Sequence, residues 1–279
     1  MTDTPAARGR LYVVGTPIGN LADLSERARE ALAGADVIAA EDTRRTRGLL
    51  LHIRAETPLI AYHEHNERER VAELLDKLAR GATVALVSDA GTPLISDPGW
   101  RLVRAARAAG IDVVPIPGPS AVIAALCAAG IATDRFAFEG FLPRRAAARV
   151  ERLRQLAAEP RTLVFFESVH RLPETLDALV EQLGPDRPAA LARELTKVHE
   201  QIVSAPLGEL RARLDGDIPL LGEFVIVVAG APGEAPPDER RAREIYELLS
   251  SEIEPSKALK LTAAITGLSR NDLYRLTRT

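Results

Sequence analysis

Cysteine is nearly absent: Cys127 is the only one among 279 residues. That excludes a disulfide scaffold and a cysteine-rich zinc module, both of which need several cysteines. Aromatic residues are scarce at 4%, so Leu, Val, Ile and Ala must build the core. No apolar run approaches the roughly 18–20 residues that a membrane-spanning helix needs. Residues 1–10 are polar and lack the apolar stretch of a secretory signal. These absences lead to the expectation of a soluble cytoplasmic protein without membrane contact. A strong bias of charge is missing too: a net charge of −3 excludes a wholesale polyanion binder. Neither G-x-G-x-x-G nor G-x-x-x-x-G-K-[ST] occurs, which removes the two commonest glycine-rich nucleotide loops.

What is present is ordinary for a globular chain, with 46% apolar and 27% charged residues. The length suggests about two domains of roughly 100–200 residues each. In the first half, short β-branched runs alternate with helical patterns. Strands are expected at 10–15, 37–40, 58–61, 83–88 and 112–116. Helices are expected at 24–33, 67–80, 99–109 and from Pro119 through Ala129. Such alternation points to a mostly parallel sheet covered on both faces. The second half reads as strands at 136–138, 162–166, 189–193, 200–203 and 224–228, with helices at 146–157, 172–183 and 207–214. Two of these strands are too close in sequence for a crossover helix. They must pair antiparallel, which makes the second sheet mixed. A break is expected near 131–134, giving an α/β domain over 1–131 and another over 132–230. Residues 231–237 (APGEAPP) are a linker by composition. Beyond them come helical stretches at 238–251, 255–264 and 269–278, with a turn at Gly267 and Ser269 as N-cap. The outline of this tail, 231–279, fits a helix-turn-helix or a capping or dimer-packing segment.

Three loops follow strands of the first half directly: 15–20 (GTPIGN), 88–99 (SDAGTPLISDPG) and 117–121 (PGPSA). Ligands of parallel α/β sheets sit at the carboxyl ends of the strands. Glycine lets backbone approach a ligand, and proline holds a loop rigid. Three such loops suit a nucleotide-like ligand. Residues 41–47 (EDTRRTR) place acids at a helix start and arginines behind them, suited to capping or to phosphate contact. Residues 63–66 (HEHN) resemble metal chemistry but lack a third ligand at a recognisable spacing, so no metal is expected. Residues 165–170 (FFESVH) end a strand with a polar cluster. Glu194, Lys197, His199 and Glu200 form another. Lys197 is one of four lysines against 32 arginines, a candidate for a deprotonatable amine or a plain surface cation. Arginines crowd 144–154, and basic residues crowd the tail. Either set is suited to phosphate or to a solvated helix face.

The order of 11–20 (LYVVGTPIGN), 40–46 (AEDTRRT), 88–99, 117–121, 165–171 (FFESVHR) and 192–200 (ARELTKVHE) resembles one family. It is ribosomal RNA small-subunit methyltransferase I, the cytidine 2′-O-methyltransferases of 16S rRNA. The resemblance covers residues 10–230 and extends into the tail. It implies the tetrapyrrole-methylase fold: a parallel N-terminal sheet, a mixed C-terminal sheet and a small helical tail. It also implies a homodimer, S-adenosylmethionine as cofactor, and a target ribose in the decoding centre of the small ribosomal subunit. Carried over by motif, cofactor contacts come from Pro17, Asp89, Ala90, Gly91, Thr92, Ile95, Ser120 and Ala121, with Phe166 and Leu195 from the second domain.

Methyl transfer to a ribose hydroxyl is an in-line displacement that gains from a base within hydrogen-bond reach. Lys197, Glu41, Asp42 and Glu167 are the candidates for that help, and the residues do not choose among them. RNA capture falls to Arg44, Arg45, Arg144 and Arg145, helped by the tail. Two other readings stay open at this level. One is a methyltransferase of the same fold acting on a tetrapyrrole or a protein side chain. The other is a non-catalytic RNA-binding factor of ribosome assembly.

Overall fold

The computed structural model describes residues 9–214, 216–232 and 239–276. The chain divides into two compact units, residues 1–230 and 231–279.

The first unit holds two five-stranded sheets. Strands β1 (Arg10–Val14), β2 (Val37–Ala40), β3 (Leu59–Ala61), β4 (Thr83–Val87) and β5 (Asp112–Ile116) are all parallel, in the order β3-β2-β4-β1-β5. Both faces are covered, which is why these strands read as continuous apolar runs. The two-residue period of a strand sends Ala85 and Val87 to one side and Val84 and Leu86 to the other. Helices α1 (Glu26–Gly34) and α2 (Thr43–Ile53) cover the first side through Ala28, Leu32, Leu49 and Leu50. Helices α3 (Glu67–Ala79) and α4 (Trp100–Ala108) cover the second through Leu74, Leu78, Leu102 and Ala106.

Local chemistry sets the helix starts. The Ser25 hydroxyl accepts the Ala28 N–H at 3.1 Å, so α1 begins at Glu26 and not at the expected Leu24. Shortly before that cap, Leu21–Asp23 form a 3-10 turn capped by Asn20, which apolar spacing did not signal. Helix α5 (Ala121–Ala128) starts after Ser120, two residues later than expected.

Strands β6 (Phe136–Phe141), β7 (Thr162–Ser168), β8 (Pro188–Arg193), β9 (Gln201–Pro206) and β10 (Glu223–Val228) form the second sheet, in the order β6-β7-β10-β8-β9. Only β6 and β7 run parallel; β8 and β9 pair antiparallel as their short connection demands. Helices α6 (Ala146–Leu156), α7 (Leu172–Leu183) and α8 (Leu207–Ala212) pack on one face through Leu153, Leu176, Leu179 and Leu210. The other face is covered by α5. Its Val122, Ala125 and Leu126 pack on Val164, Ala192 and Val225. The helix that follows the last strand of the first sheet is thus buried against the second. The apolar contact between the two halves is a core, not a wet seam.

The second unit comprises α9 (Glu239–Glu252), α10 (Pro255–Thr266) and α11 (Arg270–Leu276), with Ala242, Ala258, Thr262 and Leu273 buried. Gly267 closes α10 in the left-handed conformation at φ 71°. The Ser269 hydroxyl then accepts the Asp272 N–H at 3.2 Å, the cap expected from its position.

The loops after β1 and β5 touch through backbone. A Cβ added to Gly15 would lie 2.8 Å from the Gly118 Cα, and one added to Gly118 would lie 2.6 Å from the Gly15 carbonyl oxygen. Gly118→Ala is therefore expected to destabilise the first unit by about 1–3 kcal/mol, the range of overpacked sites. Chemical denaturation checks this, and a loss below about 0.5 kcal/mol, ordinary for surface substitutions, would show that the loops can part freely.

Candidate active site

The three loops leave the carboxyl ends of three adjacent strands, β4, β1 and β5, and are knitted together there. Thr16 and Gly91 exchange backbone hydrogen bonds of 2.9 and 3.1 Å. The Thr92 hydroxyl donates to the Pro119 carbonyl at 3.2 Å. Gly91 supplies the φ of 81° that this crossing requires. The loop after β4 also holds Leu94 at φ 76° and Ser96 at φ 66°. Each left-handed side-chain residue costs roughly 1–2 kcal/mol. Such strain gathers at ligand sites because the surroundings must enforce it.

Between these loops and the second sheet lies a cavity of about 330 Å³, within the range of roughly 300–1,000 Å³ usual for small-molecule sites. Ile18, Ala90, Gly91, Thr92, Ile95, Ser96, Asp97, Ser120 and Ala121 form its wall from the first half. Phe141, Phe166, Glu167, Ser168, Ala192, Leu195, Glu223, Phe224 and Val225 face them. Phe166 is packed edge-on by Phe138 at 4.9 Å and by Phe141 at 5.7 Å. A register shift between Phe138 and Gly140 bends β6 so that Gly140, at φ 64°, meets Ser96: a Cβ there would lie 3.1 Å from the Ser96 Oγ. Apolar walls, small residues at the Gly91 turn and the lining carboxylates Asp97 and Glu223 fit a nucleoside with a charged tail. Ala90, Gly91, Thr92, Ile95, Ser120, Ala121, Phe166 and Leu195 therefore stand where a cofactor contact would. Pro17 and Asp89 do not line the cavity. The Asp89 carboxylate accepts the Asp42 N–H at 2.9 Å and faces Arg45 at 3.6 Å, so it braces the loop against α2.

The four groups named for proton transfer stand in different surroundings. Lys197 donates to Glu194 at 2.8 Å and to Glu223 at 3.0 Å. Burial works against its charge, but the two carboxylates outweigh burial and hold its pKa above the ordinary lysine value. The expected deprotonatable amine is thus a clamped cation. Its stem packs over the first loop, where a Cβ on Gly19 would collide with the Lys197 Cγ. Asp42 caps α2 through the Arg44 N–H at 2.8 Å. The Arg44 guanidinium hydrogen-bonds it, and its pKa falls to about 2. A carboxylate so held is a poor base. Glu167 is buried on the opposite face of β7 from Phe166, as strand alternation requires. It accepts from the Ser168 N–H at 2.8 Å and the Thr175 hydroxyl at 2.7 Å, with Arg171 at 3.5 Å. Its carboxylate belongs to α7. Glu41 accepts the Asp89 N–H at 3.3 Å, and burial raises its pKa.

Asp97 has the environment of a base. It lines the cavity, and burial chiefly raises its pKa to about 6, with the charges of Glu41 and Asp89 adding to the rise. A hydrogen bond from Ser88 opposes the shift. Sequence reasoning passed over Asp97 because it reads as the first residue of a proline turn. The signal that could have found it is its place in the longest loop after a strand. Glu223, Phe141 and Val225 gave no signal, since strand pairing alone brings them there.

Arginines 144–154 also separate. Arg149 pairs with Glu174 at 3.1 Å, Arg152 with Glu139 at 2.6 Å and Arg154 with Glu151 at 2.7 Å. Arg144 and Arg145 are exposed, and neither has an ion pair or side-chain hydrogen bond among the described residues. They follow Phe141, at the cavity wall, by three and four residues. Arg44 and Arg45 are exposed as well, each facing an aspartate. Among the described residues no group of three or more His, Cys, Asp or Glu is arranged to hold a metal ion. No helix there is long and apolar enough to cross a membrane.

Two α/β halves around a cleft, with glycine-rich loops at the strand ends, define the class of tetrapyrrole (corrin/porphyrin) methylases, whose family model matches residues 10–211. The uroporphyrin-III C-methyltransferase of Thermus thermophilus, solved in complex with S-adenosyl homocysteine, shares the fold. The TM-score is 0.55 at 23% identity, covering 79% of this chain and 97% of that one. Residues 234–277 match the RsmI C-terminal HTH domain. The ribosomal RNA small subunit methyltransferase I of Xylella fastidiosa (strain Temecula1) is 51% identical over 267 residues, 95% of this chain and 98% of its own. That of Escherichia coli O157:H7 is 50% identical over 270 residues, 96% of this chain and 94% of its own. The chain belongs to the ribosomal RNA small subunit methyltransferase I family. It is a methyltransferase that uses S-adenosylmethionine.

The raised pKa of Asp97 has a consequence for stability. Between its ordinary value of 3.8 and about 6, the unfolded chain gives up this proton and the folded chain keeps it. Wild-type stability from this group therefore falls as pH rises through that window and is constant above it. Asp97→Asn does not titrate. Its stability relative to wild type is expected to rise from pH 4 to pH 6.5 by about 1 kcal/mol, the half-exposed position being screened by solvent. Thermal denaturation of both proteins across that range checks it; a difference independent of pH would show that Asp97 titrates normally.

Proposed function

We propose that the protein transfers a methyl group from S-adenosylmethionine to the 2′-hydroxyl of a cytidine in 16S rRNA, in the decoding centre of the small ribosomal subunit. In this reading it works in the cytoplasm as a homodimer. Residues 1–131 and 132–230 are its two α/β domains, and 231–279 are a linker and helical tail that add to the RNA surface. The observation that carries the reading is a cofactor-sized cavity holding a carboxylate of raised pKa, with unpaired arginines close in sequence to its wall, in a chain about half identical to named rRNA methyltransferases.

When bound, the cofactor supplies an electrophilic methyl on a sulfonium. The chain's share is to place, align and deprotonate. Ala90, Gly91, Thr92, Ser120 and Ala121 offer backbone and small side chains to a polar ligand edge. Ile95, Phe166 and Leu195 offer apolar faces. Pro17 and Asp89 act at one remove, by stiffening the loops. Asp97 accepts the ribose proton as the oxygen–carbon bond forms and the sulfur–carbon bond breaks. A pKa of about 6 suits that task near neutral pH. Lys197, fixed by Glu194 and Glu223, is a cation beside the cleft that steadies the negative charge developing on the ribose oxygen. Glu41 raises the Asp97 pKa through its charge. Asp42 and Glu167 hold α2 and α7. Arg44, Arg45, Arg144 and Arg145 meet phosphate, since structured RNA is read mainly by shape, phosphate and 2′-hydroxyl contacts.

The deciding experiment gives labelled S-adenosylmethionine to small subunits from cells lacking this protein. Label on one cytidine ribose is expected. Label on protein alone, or none, would overturn the substrate. With such subunits, Asp97→Asn is expected to lower the rate at least about 10²-fold, the usual share of a general base. The wild-type rate should rise with pH through about 6. A loss below tenfold would remove Asp97 as base. Replacing Arg144 and Arg145 together by Ala is expected to weaken subunit binding and to flatten its dependence on salt, because fewer counterions are released. An unchanged slope would take both out of the interface.

A further inference from the structure

Residues 63–67 (HEHNE) join β3 to α3, and neither metal binding nor the reaction above accounts for them. Asn66 makes the turn: its Oδ1 accepts the His63 N–H at 2.9 Å, and its Nδ2 donates to the Ala61 carbonyl at 3.0 Å. Glu67, the first residue of α3, is 6% exposed, unusual for a carboxylate unless it is fully engaged. Three donors engage it. The Tyr62 hydroxyl lies 2.9 Å from Oε1, the Gly99 N–H 3.2 Å from Oε1, and the Arg101 Nε 3.0 Å from Oε2. Tyr62 is fully buried, and burial together with the Glu67 charge raises its pKa, so it stays a donor.

The Gly99 N–H is the end of the cavity loop. Gly99 precedes α4 at φ 134° and carries no side chain to cap that helix. A Cβ there would sit 2.8 Å from Leu86. The loop is thus tied down at its start, where Thr16 meets Gly91 and the Thr92 hydroxyl meets Pro119, and at its end, where Glu67 from another helix meets Gly99. Between the two points lie the strained Leu94 and Ser96 and the cavity residues Ile95 and Asp97. Residues in the left-handed region persist only where the surroundings over-determine them. We infer that Glu67 is a positioning residue for the cofactor cavity. It acts through Gly99 and the loop, holds the loop in its strained form, and does not touch cofactor or substrate. The inference rests on the cavity being the cofactor site.

Trp100, the only tryptophan, reports on the same clamp. The Arg101 guanidinium, oriented by Glu67, stands 4.8 Å from its ring centroid. In Glu67→Leu the side chain keeps about its volume and loses its bonds to Gly99, Tyr62 and Arg101 together. The cofactor Kd by calorimetry is expected to rise tenfold or more, and Trp100 emission to shift as Arg101 is released. Leu74→Ala, a cavity under the same helix, serves as the control. It is expected to cost stability while leaving Trp100 emission unchanged and the Kd within twofold. An unchanged Kd in folded Glu67→Leu overturns the inference. So does an equal rise in Leu74→Ala, which would make the effect one of general stability. Hydrogen exchange on the wild-type protein keeps the test open if the variant fails to fold. The Gly99 amide should be strongly protected, and exchange at the rate of a free chain would overturn the clamp. Wild-type protein that binds no cofactor would instead overturn the reading of the cavity, a failure seen before any substitution is made.

Discussion

Everything near the cleft depends on backbone meeting backbone at the carboxyl ends of β1, β4 and β5. Gly15 and Gly118 approach too closely for any Cβ, and Thr16 and Gly91 exchange hydrogen bonds across the gap. Three adjacent parallel strands deliver these loops to one place. The contacts between them satisfy backbone groups that would otherwise be buried without partners. From these locked loops runs the segment after Gly91. It passes through two left-handed side-chain residues and ends on Gly99, where Glu67 holds it. The second half then closes on this edge through the apolar contact of α5 and through Gly140 at the β6 bulge.

Within that frame, carboxylates of the same chemistry take different roles because their partners differ. Asp42 sits at a helix start beside Arg44 and is held strongly ionised. Glu167 is surrounded by donors and serves packing. Asp97, half-buried with two other acids near, keeps its proton to about pH 6. Glu223 and Glu194 are occupied by Lys197. A carboxylate that holds its proton and a lysine that holds its charge follow from this sorting, with no group needing unusual intrinsic chemistry. The same logic separates the arginines. Those of α6 at 149, 152 and 154 are neutralised by acids, whereas Arg144 and Arg145, ahead of the helix, are exposed and have no ion pair among the described residues.

Much of the fold was legible. Apolar periodicity placed the ten strands and, apart from α2, the α-helices to within a few residues; of α2 only the charged start at 41–47 was noted. The short link between β8 and β9 required antiparallel pairing, and the three loops stood out by glycine and proline. Eight of the ten expected cofactor positions line the cavity, because a residue just after a strand end has few places to go. The catalytic expectations fared differently. Lys197 was singled out by rarity, which says nothing of the two carboxylates that hold its proton. Glu167 was singled out by its place at a strand end; it does line the cavity, but its carboxylate is taken up by Ser168, Thr175 and Arg171. Asp97 and Glu67 were overlooked because each looks locally like a turn or a helix start.

The sequence by itself determined what depends on near neighbours: the strand and helix periods, the cap at Ser269, the turn at Gly267 and the ordered motifs that mark the family. Only the tertiary structure decided which charges meet. Glu67 and Gly99 are 32 residues apart, Asp42 and Asp89 47, and Lys197 and Glu223 26. Electrostatic environment is set by distance and burial in space, and neither is written in the local run of residues around a carboxylate.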